Sequence, residues 1–192
     1  RVAHYVLLDY MLPEIAYRMT RKQNQNMVLS FNDEIKPILY AIQKNISKRY
    51  DWYVWDVLVD RFEGTPTVNL HSLITIAKNL HFLHETEDGY SLHQSFRDYF
   101  AACHIKNEML AFCTDRNRKD DVSPVLEETC FDDDILKFVS DLVREEESEP
   151  VKVDGGWELQ NNGKTEQLLD LWRDAEGEKA QNAVYNLFSI MR

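Results

Sequence analysis

The chain has 192 residues, 44% of them hydrophobic and 29% charged, with six glycines and five prolines. That is room for one or two domains around a real hydrophobic core, and it argues against a loop-rich or disordered polypeptide. The net charge of −11 disfavours nucleic acid or an anionic membrane as a whole-surface partner, because both require a basic face. The three cysteines, Cys103, Cys113 and Cys130, show no C-x-x-C spacing, so reduced thiols in a cytoplasmic protein are expected. No signal peptide and no apolar run of about 18 residues is present, so no membrane span is expected. The chain opens on Arg1 and a periodic pattern begins almost at once, which leads us to expect a piece of a larger protein.

Val6 to Lys22 reads as a helix, with Leu8, Met11, Leu12, Ile15, Ala16 and Met19 on one apolar stripe. Pro13 either kinks it or sits in the first turn of a new helix. The polar run at 21–26 reads as a loop. Ser30 offers an N-cap with Asp33 at the capping-box position, and Ile35, Ile38, Leu39, Ile42 and Ile46 form the next stripe. Pro37 lies in the first turn of that helix or moves its start downstream. Tyr50 to Phe62 fits a strand or a buried helix; its neighbours favour the helix. Glu63 to Pro66 is a breaker. Asn69 can cap a helix through about Leu80, with Leu70, Leu73, Ile74, Ala77 and Leu80 inside.

The period then changes. Phe82 to Thr86 and Tyr90 to His93 read as two strands around a turn at Glu87-Asp88-Gly89, since Asp-Gly is a strong hairpin signal. Ser95, with Asp98 three residues on, starts the next helix, and Phe96, Tyr99 and Phe100 at helical spacing are expected in its core. Helices followed by a two-stranded wing describe a winged-helix module. The expected fold is therefore mainly α: a winged-helix-like domain over 1–112 with a small two-stranded β wing, then a helical domain over 113–192. In the second domain, 114–123 reads as a linker and Asp132 to Glu147 as a helix. Pro150 to Gly163 reads as a loop, with a small hairpin around Gly155-Gly156 as the alternative. Thr165 to Ala175 and Glu178 to Met191 read as a closing helix pair.

The run from Tyr90 to Ala102, YSLHQSFRDYFAA, resembles the signature near the end of the winged-helix region of NACHT-type NTPases, a branch of the STAND class of signalling ATPases. The matching positions are Leu92, His93, Gln94, Ser95, Phe96, Arg97, Asp98, Tyr99, Phe100, Ala101 and Ala102. Leu7 to Met19, Asp132 to Val143 and Gln181 to Arg192 are similar to the helices that begin and follow this region. The resemblance implies that His93 binds nucleotide, contacting the β-phosphate of ADP and locking a closed, inactive state. It also implies a parent ATPase using ADP or ATP with Mg²⁺. The partners it implies are an upstream NTPase domain and C-terminal sensor repeats of the same chain, with oligomerisation on activation and a role in bacterial antiviral defence. No G-x-x-x-x-G-K-S/T run lies within these residues, so no cofactor is expected to bind this region alone and no enzymatic activity is expected of it.

Chemistry is compatible with the placement. An imidazole can donate an N–H to a phosphate oxygen, and free backbone N–H groups at a helix start favour the same anion. Other candidates are weaker. His81 and His84 are three apart, a metal pair only if both lie on one helix face. Cys103 and His104 are adjacent and point about 100° apart on a helix, which separates nucleophile from base. No Ser/His/Asp, metal or paired-carboxylate constellation suggests a hydrolase. A winged-helix DNA-binding regulator is the alternative function. Its recognition helix would be Asn69 to Leu80, where Lys78 is the single fixed positive charge, fewer than groove reading normally uses.

Overall fold

A computed structural model describes residues 6–22, 27–41, 70–114, 124–147, 150–153, 156–159 and 177–191. The elements expected at Tyr50 to Phe62, Glu63 to Pro66 and Thr165 to Ala175, the Asn69 cap and most of the 114–123 linker lie outside the described residues. What is described is mainly helical, with small antiparallel two-stranded sheets. The chain divides into two compact units, Arg1–Ala101 and Ala102–Arg192.

The first unit opens with a π turn, Leu7–Met11, that runs straight into helix α1, Leu12–Thr20. A second π turn, Phe31–Ile35, runs into helical residues 36–41, here α2. Both turns have the same cause in sequence. Pro13 and Pro37 each stand two residues beyond the end of a π turn. A proline inside a helix has no N–H to give and its ring presses on the carbonyl four residues back, which here belongs to Asp9 or Asp33. Opening that turn to an i→i+5 pattern relieves the contact. The Leu12 N–H accordingly bonds to the carbonyl of Leu7, and the Lys36 N–H to that of Phe31.

The wider turn changes which residue faces inward. One π turn back from Leu12 is Leu7, not Leu8. Leu7 is fully buried, while Leu8 is 37% exposed, which corrects the stripe expected from a regular 3.6-residue repeat. The remainder of that stripe, Met11, Leu12, Ile15, Ala16 and Met19, is buried as the pattern requires. Each such side chain contributes about 1.5–3 kcal/mol of transfer free energy. It meets Ile35, Ile38 and Leu39 of the second helix and Leu73, Ile74 and Ala77 of α3, Leu70–Asn79, in one continuous core.

Helix α3 ends at Asn79 in a Schellman reversal, which leaves Leu80, expected inside the helix, 45% exposed. The Phe82 N–H reaches the Ala77 carbonyl at 3.0 Å and the His81 N–H reaches the Lys78 carbonyl at 2.9 Å. His81 takes the left-handed position at φ +59°, where glycine is the usual choice. The reversal feeds strand β1, Leu83–Thr86, which pairs antiparallel with β2, Gly89–Leu92, in the register Leu83↔Leu92 to Thr86↔Gly89. Leu83 and Leu92, facing each other across the ladder, are the hairpin's buried pair. A third segment joins on the other side of β2: Leu29 and Tyr90 exchange two N–H···O=C bonds of 2.9 Å.

Gly89 makes that third segment possible. Its φ is +146°, and a β-carbon placed on it would lie 2.3 Å from the Leu29 carbonyl oxygen. Glu87 and Asp88 form the two-residue loop, and neither adopts positive φ, so the conformational demand falls on Gly89 in the strand.

Helix α4, Gln94–Thr114, follows β2 after a single residue, and the division between the two units falls within it. The second unit continues with α5, Pro124–Glu127, and α6, Asp133–Glu147. Strands β3, Pro150–Val153, and β4, Gly156–Leu159, come next, then helix α7, Glu178–Met191. The Pro150 region thus forms the hairpin alternative, paired Pro150↔Leu159 to Val153↔Gly156.

Helix α6 buries Ile135, Leu136, Val139 and Val143, and α7 packs on α5 and α6 through Ala183, Leu187 and Ile190. Asn186 sits in that apolar face with no exposure. Its amide is fully used: Nδ2 donates to the carbonyls of Leu126 at 2.9 Å and Thr129 at 2.8 Å, and Oδ1 accepts the Phe131 N–H at 3.1 Å. Asn182, one turn earlier, donates to the Glu127 carbonyl at 3.1 Å. The two asparagines therefore supply partners to the backbone that joins α5 to α6, including the buried Leu126 carbonyl and Phe131 N–H. Among the described residues no helix is long and apolar enough to cross a membrane.

Candidate functional site

The run Tyr90 to Ala102 divides into three structural jobs. Tyr90 to Leu92 complete the hairpin, Gln94 onward is helix, and His93 stands alone between them. Its carbonyl accepts the Arg97 N–H at 2.9 Å, the first i→i+4 bond of α4, which makes His93 the N-cap residue. This corrects the expected start at Ser95, which lies instead inside the first turn. Ser95 is the better capping side chain, but the chain leaves β2 at Leu92 and no room remains for a longer connection.

The His93 imidazole is exposed and meets the ring of Phe96 edge-on, with centroids 6.3 Å apart and planes at 69°. The contact spans one helical turn and holds the imidazole beside the helix start. The N–H groups of Gln94, Ser95 and Phe96 have no carbonyl one turn back within the helix. No acidic residue occupies the first turn of α4. Exposed imidazole, first-turn N–H groups and helix dipole thus converge where an anion is favoured.

Arg97 is near this point but differently engaged. Its guanidinium holds Asp98 through Nε and Nη2, both at 3.0 Å from Oδ1, and donates through Nη1 to the sulfur of Met27. Both members of the pair are largely buried. Arg97 and Asp98 therefore neutralise one another, and the Met27 contact ties the start of α4 to residue 27, while the His93 imidazole stays exposed.

The aromatic residues of the run separate as well. Phe100 is buried, but Phe96 is 42% and Tyr99 40% exposed, so two of the three expected core residues lie on the surface. They are tied in by edge-to-face contacts: Phe82 meets Phe96 at 5.1 Å and Phe100 at 5.6 Å, and Tyr99 meets Phe100 at 5.5 Å. Helical spacing gave their common side of the helix, but not how far the core extends along it.

His81 closes α3 and His84 lies on β1 opposite Ser91, so the two do not share a helix face. No group of histidine, cysteine, aspartate or glutamate able to hold a metal occurs among the described residues. Cys103 and His104 occupy consecutive positions of α4. Cys130 donates its thiol to Asn182 Oδ1 at 3.2 Å.

On the hairpin, Lys78 binds Glu85 and lies 5.8 Å over the Tyr90 ring. The hydrogen bond between them holds the Glu85 carboxyl below its ordinary range and the Lys78 ammonium above its own. The single fixed cation of α3 is thus already paired, a residue relation that sequence spacing between a helix and a strand did not signal. Comparison with protein-family models, with curated proteins and with solved structures finds no match to this chain.

Proposed function

We propose that this chain is the nucleotide-state-sensing and signal-relay region of a NACHT-like signalling NTPase, with His93 as its phosphate contact and no catalytic role of its own. The observation that carries the reading is the position of His93: an exposed imidazole at the N-cap of a helix of 21 residues, directly behind a tight hairpin. Helices leading into a two-stranded hairpin, with a loop segment bridged to its inner strand, support the view of the first unit as a winged-helix module.

The chemistry follows from the residues. His93 donates an imidazole N–H to a phosphate oxygen, and its protonated form adds charge. The N-terminus of α4 favours the same anion through its dipole and its free N–H groups. When bound, ADP supplies the diphosphate; its remaining contacts belong to an NTPase domain upstream. His93 is then a latch on a hinge with two states, held while a phosphate is within reach and released otherwise. A single such contact does not offset the entropy of immobilising a nucleotide, so the region alone is not a nucleotide-binding protein.

The DNA-binding alternative loses support at α3. A groove-reading helix normally carries several Arg, Lys, Asn or Gln toward the groove, whereas Lys78 is the single Lys or Arg of Leu70–Asn79. The latch is tested in the parent that carries the P-loop: His93→Ala should weaken ADP retention and raise basal signalling, and unchanged retention would refute the reading.

A further inference from the structure

Residues 27–31 are tied down at more points than a connection between two helices requires. Lys22, just past the end of α1, donates its ammonium to the Val28 carbonyl at 2.8 Å and to both oxygens of the Glu34 carboxylate, at 2.6 and 2.7 Å. The same carboxylate accepts the Ser30 N–H at 2.8 Å. Leu29 makes its two backbone bonds with Tyr90 of β2, and the Phe31 ring meets the Tyr90 ring edge-on at 6.2 Å. At the other end, the Met27 sulfur accepts a hydrogen bond from Arg97 in the first turns of α4. Met27 holds a backbone of φ +39°, a region that a β-carbon disfavours and that tertiary contacts must therefore maintain.

The balance of forces on this segment is unusual. Leu29 is its one fully buried side chain, with Met27 and Phe31 half-buried against the same core. Polar contacts add to this packing, and three of them meet on one carboxylate, Glu34: two from the Lys22 ammonium and one from the Ser30 N–H. Segments with few fully buried side chains open separately from the global core. If Glu34 lets go, Lys22 loses its countercharge and the Ser30 N–H its acceptor in one step. What remains is the two-bond bridge to Tyr90, the Lys22 bond to the Val28 carbonyl and the contacts of Met27, Leu29 and Phe31, set against a strained residue at the start.

We propose that Met27–Phe31 is a strap with two states, fastened by the Lys22–Glu34 clasp, which couples α1 to β2 and, through Met27 and Arg97, to the N-terminal turns of α4. Fastened, it packs over Gly89 and fixes the first hydrogen bond of α4, from Arg97 to His93. Released, it uncovers the N–H and carbonyl of Tyr90 on the edge of β2 and loosens the helix start. The coupling is mechanical and holds whatever His93 contacts.

Amide hydrogen exchange by NMR on the 192-residue chain tests it. In Glu34→Gln, exchange at Leu29 and Tyr90 should quicken about tenfold, with Arg97 following, while Leu136 and Gln181 of the second unit stay unchanged. Lys22→Met should give the same pattern from the other partner of the clasp. Unchanged exchange at Leu29 and Tyr90 would overturn the clasp. Faster exchange there with Arg97 unmoved would overturn the coupling to α4. A uniform rise in both units would mean global destabilisation and no strap.

Discussion

Gly89 and His81 show backbone conformation deciding what a residue can be. At Gly89 the φ of +146° and the approach of the Leu29 carbonyl act together. Gly89→Ala is expected to destabilise the protein by about 2–4 kcal/mol, since strain and a clash with backbone add and neither can be relieved by a rotamer change. Denaturant unfolding measures it. His81 carries the opposite imbalance: a β-carbon at φ +59° in a Schellman position where glycine is preferred. His81→Gly should raise stability by about 0.5–1 kcal/mol in the same experiment. Asp-Gly announced a turn, but the sequence could not show that the glycine was needed for a segment approaching from sixty residues earlier, at Leu29. Asn186 was legible in principle. It interrupts the apolar face formed by Ala183, Leu187 and Ile190, and a polar residue in such a stripe signals a buried hydrogen-bonding duty.

Helices were readable wherever 3.6-residue periodicity was undisturbed. Helix α7 has the expected bounds, and α6 starts one residue after Asp132, whose carbonyl accepts the first helical bond from Leu136 at 3.0 Å. The prolines broke this legibility. Pro13 and Pro37 each demand an open turn before them, and a pattern built on a regular helix then selects Leu8 where the π turn presents Leu7. Leu7→Ala should therefore cost about 2–4 kcal/mol and Leu8→Ala less than about 1 kcal/mol; equal losses would mean a regular helix through this region.

The second π turn has a related consequence. With one more residue in the turn, Glu34 and not Asp33 reaches back to the Ser30 N–H, while Asp33 meets the Ser30 hydroxyl at 3.3 Å. Burial alone would push the Glu34 carboxyl up. Though burial is the largest single effect, the Lys22 hydrogen bond, the Ser30 N–H and the charges of Lys22 and Arg18 together outweigh it, and the carboxyl sits below its ordinary value. A depressed carboxylate stabilises the fold above its unfolded-state pKa and loses that contribution as pH falls through the folded one. The stability difference between wild type and Glu34→Gln should thus be constant near neutral pH. It should shrink only as pH falls through and below the ordinary glutamate range, in thermal melts taken across acid pH.

For the molecule as a whole, length and composition suggested a real core, helical periodicity a mainly helical protein, and the period change at Phe82 located its hairpin. The candidate site was partly legible. The run Tyr90 to Ala102 singled out His93, and the fold gives that residue a structural task as N-cap together with an exposed imidazole. Less visible were the contacts that join distant segments, Lys22 with Glu34, Arg97 with Met27 and Lys78 with Glu85, because charges of both signs are common along the chain and only the fold selects among the pairs.

The central claim is that His93 is a nucleotide latch. Its most direct test is the dissociation rate of ADP from the P-loop-bearing parent, measured for wild type and His93→Ala, with Glu85→Gln on the neighbouring hairpin as control. Loss of a hydrogen bond to a charged phosphate should speed release about tenfold in His93→Ala and leave the control unchanged. ADP release from His93→Ala at the wild-type rate, or an equal change in both variants, would contradict it.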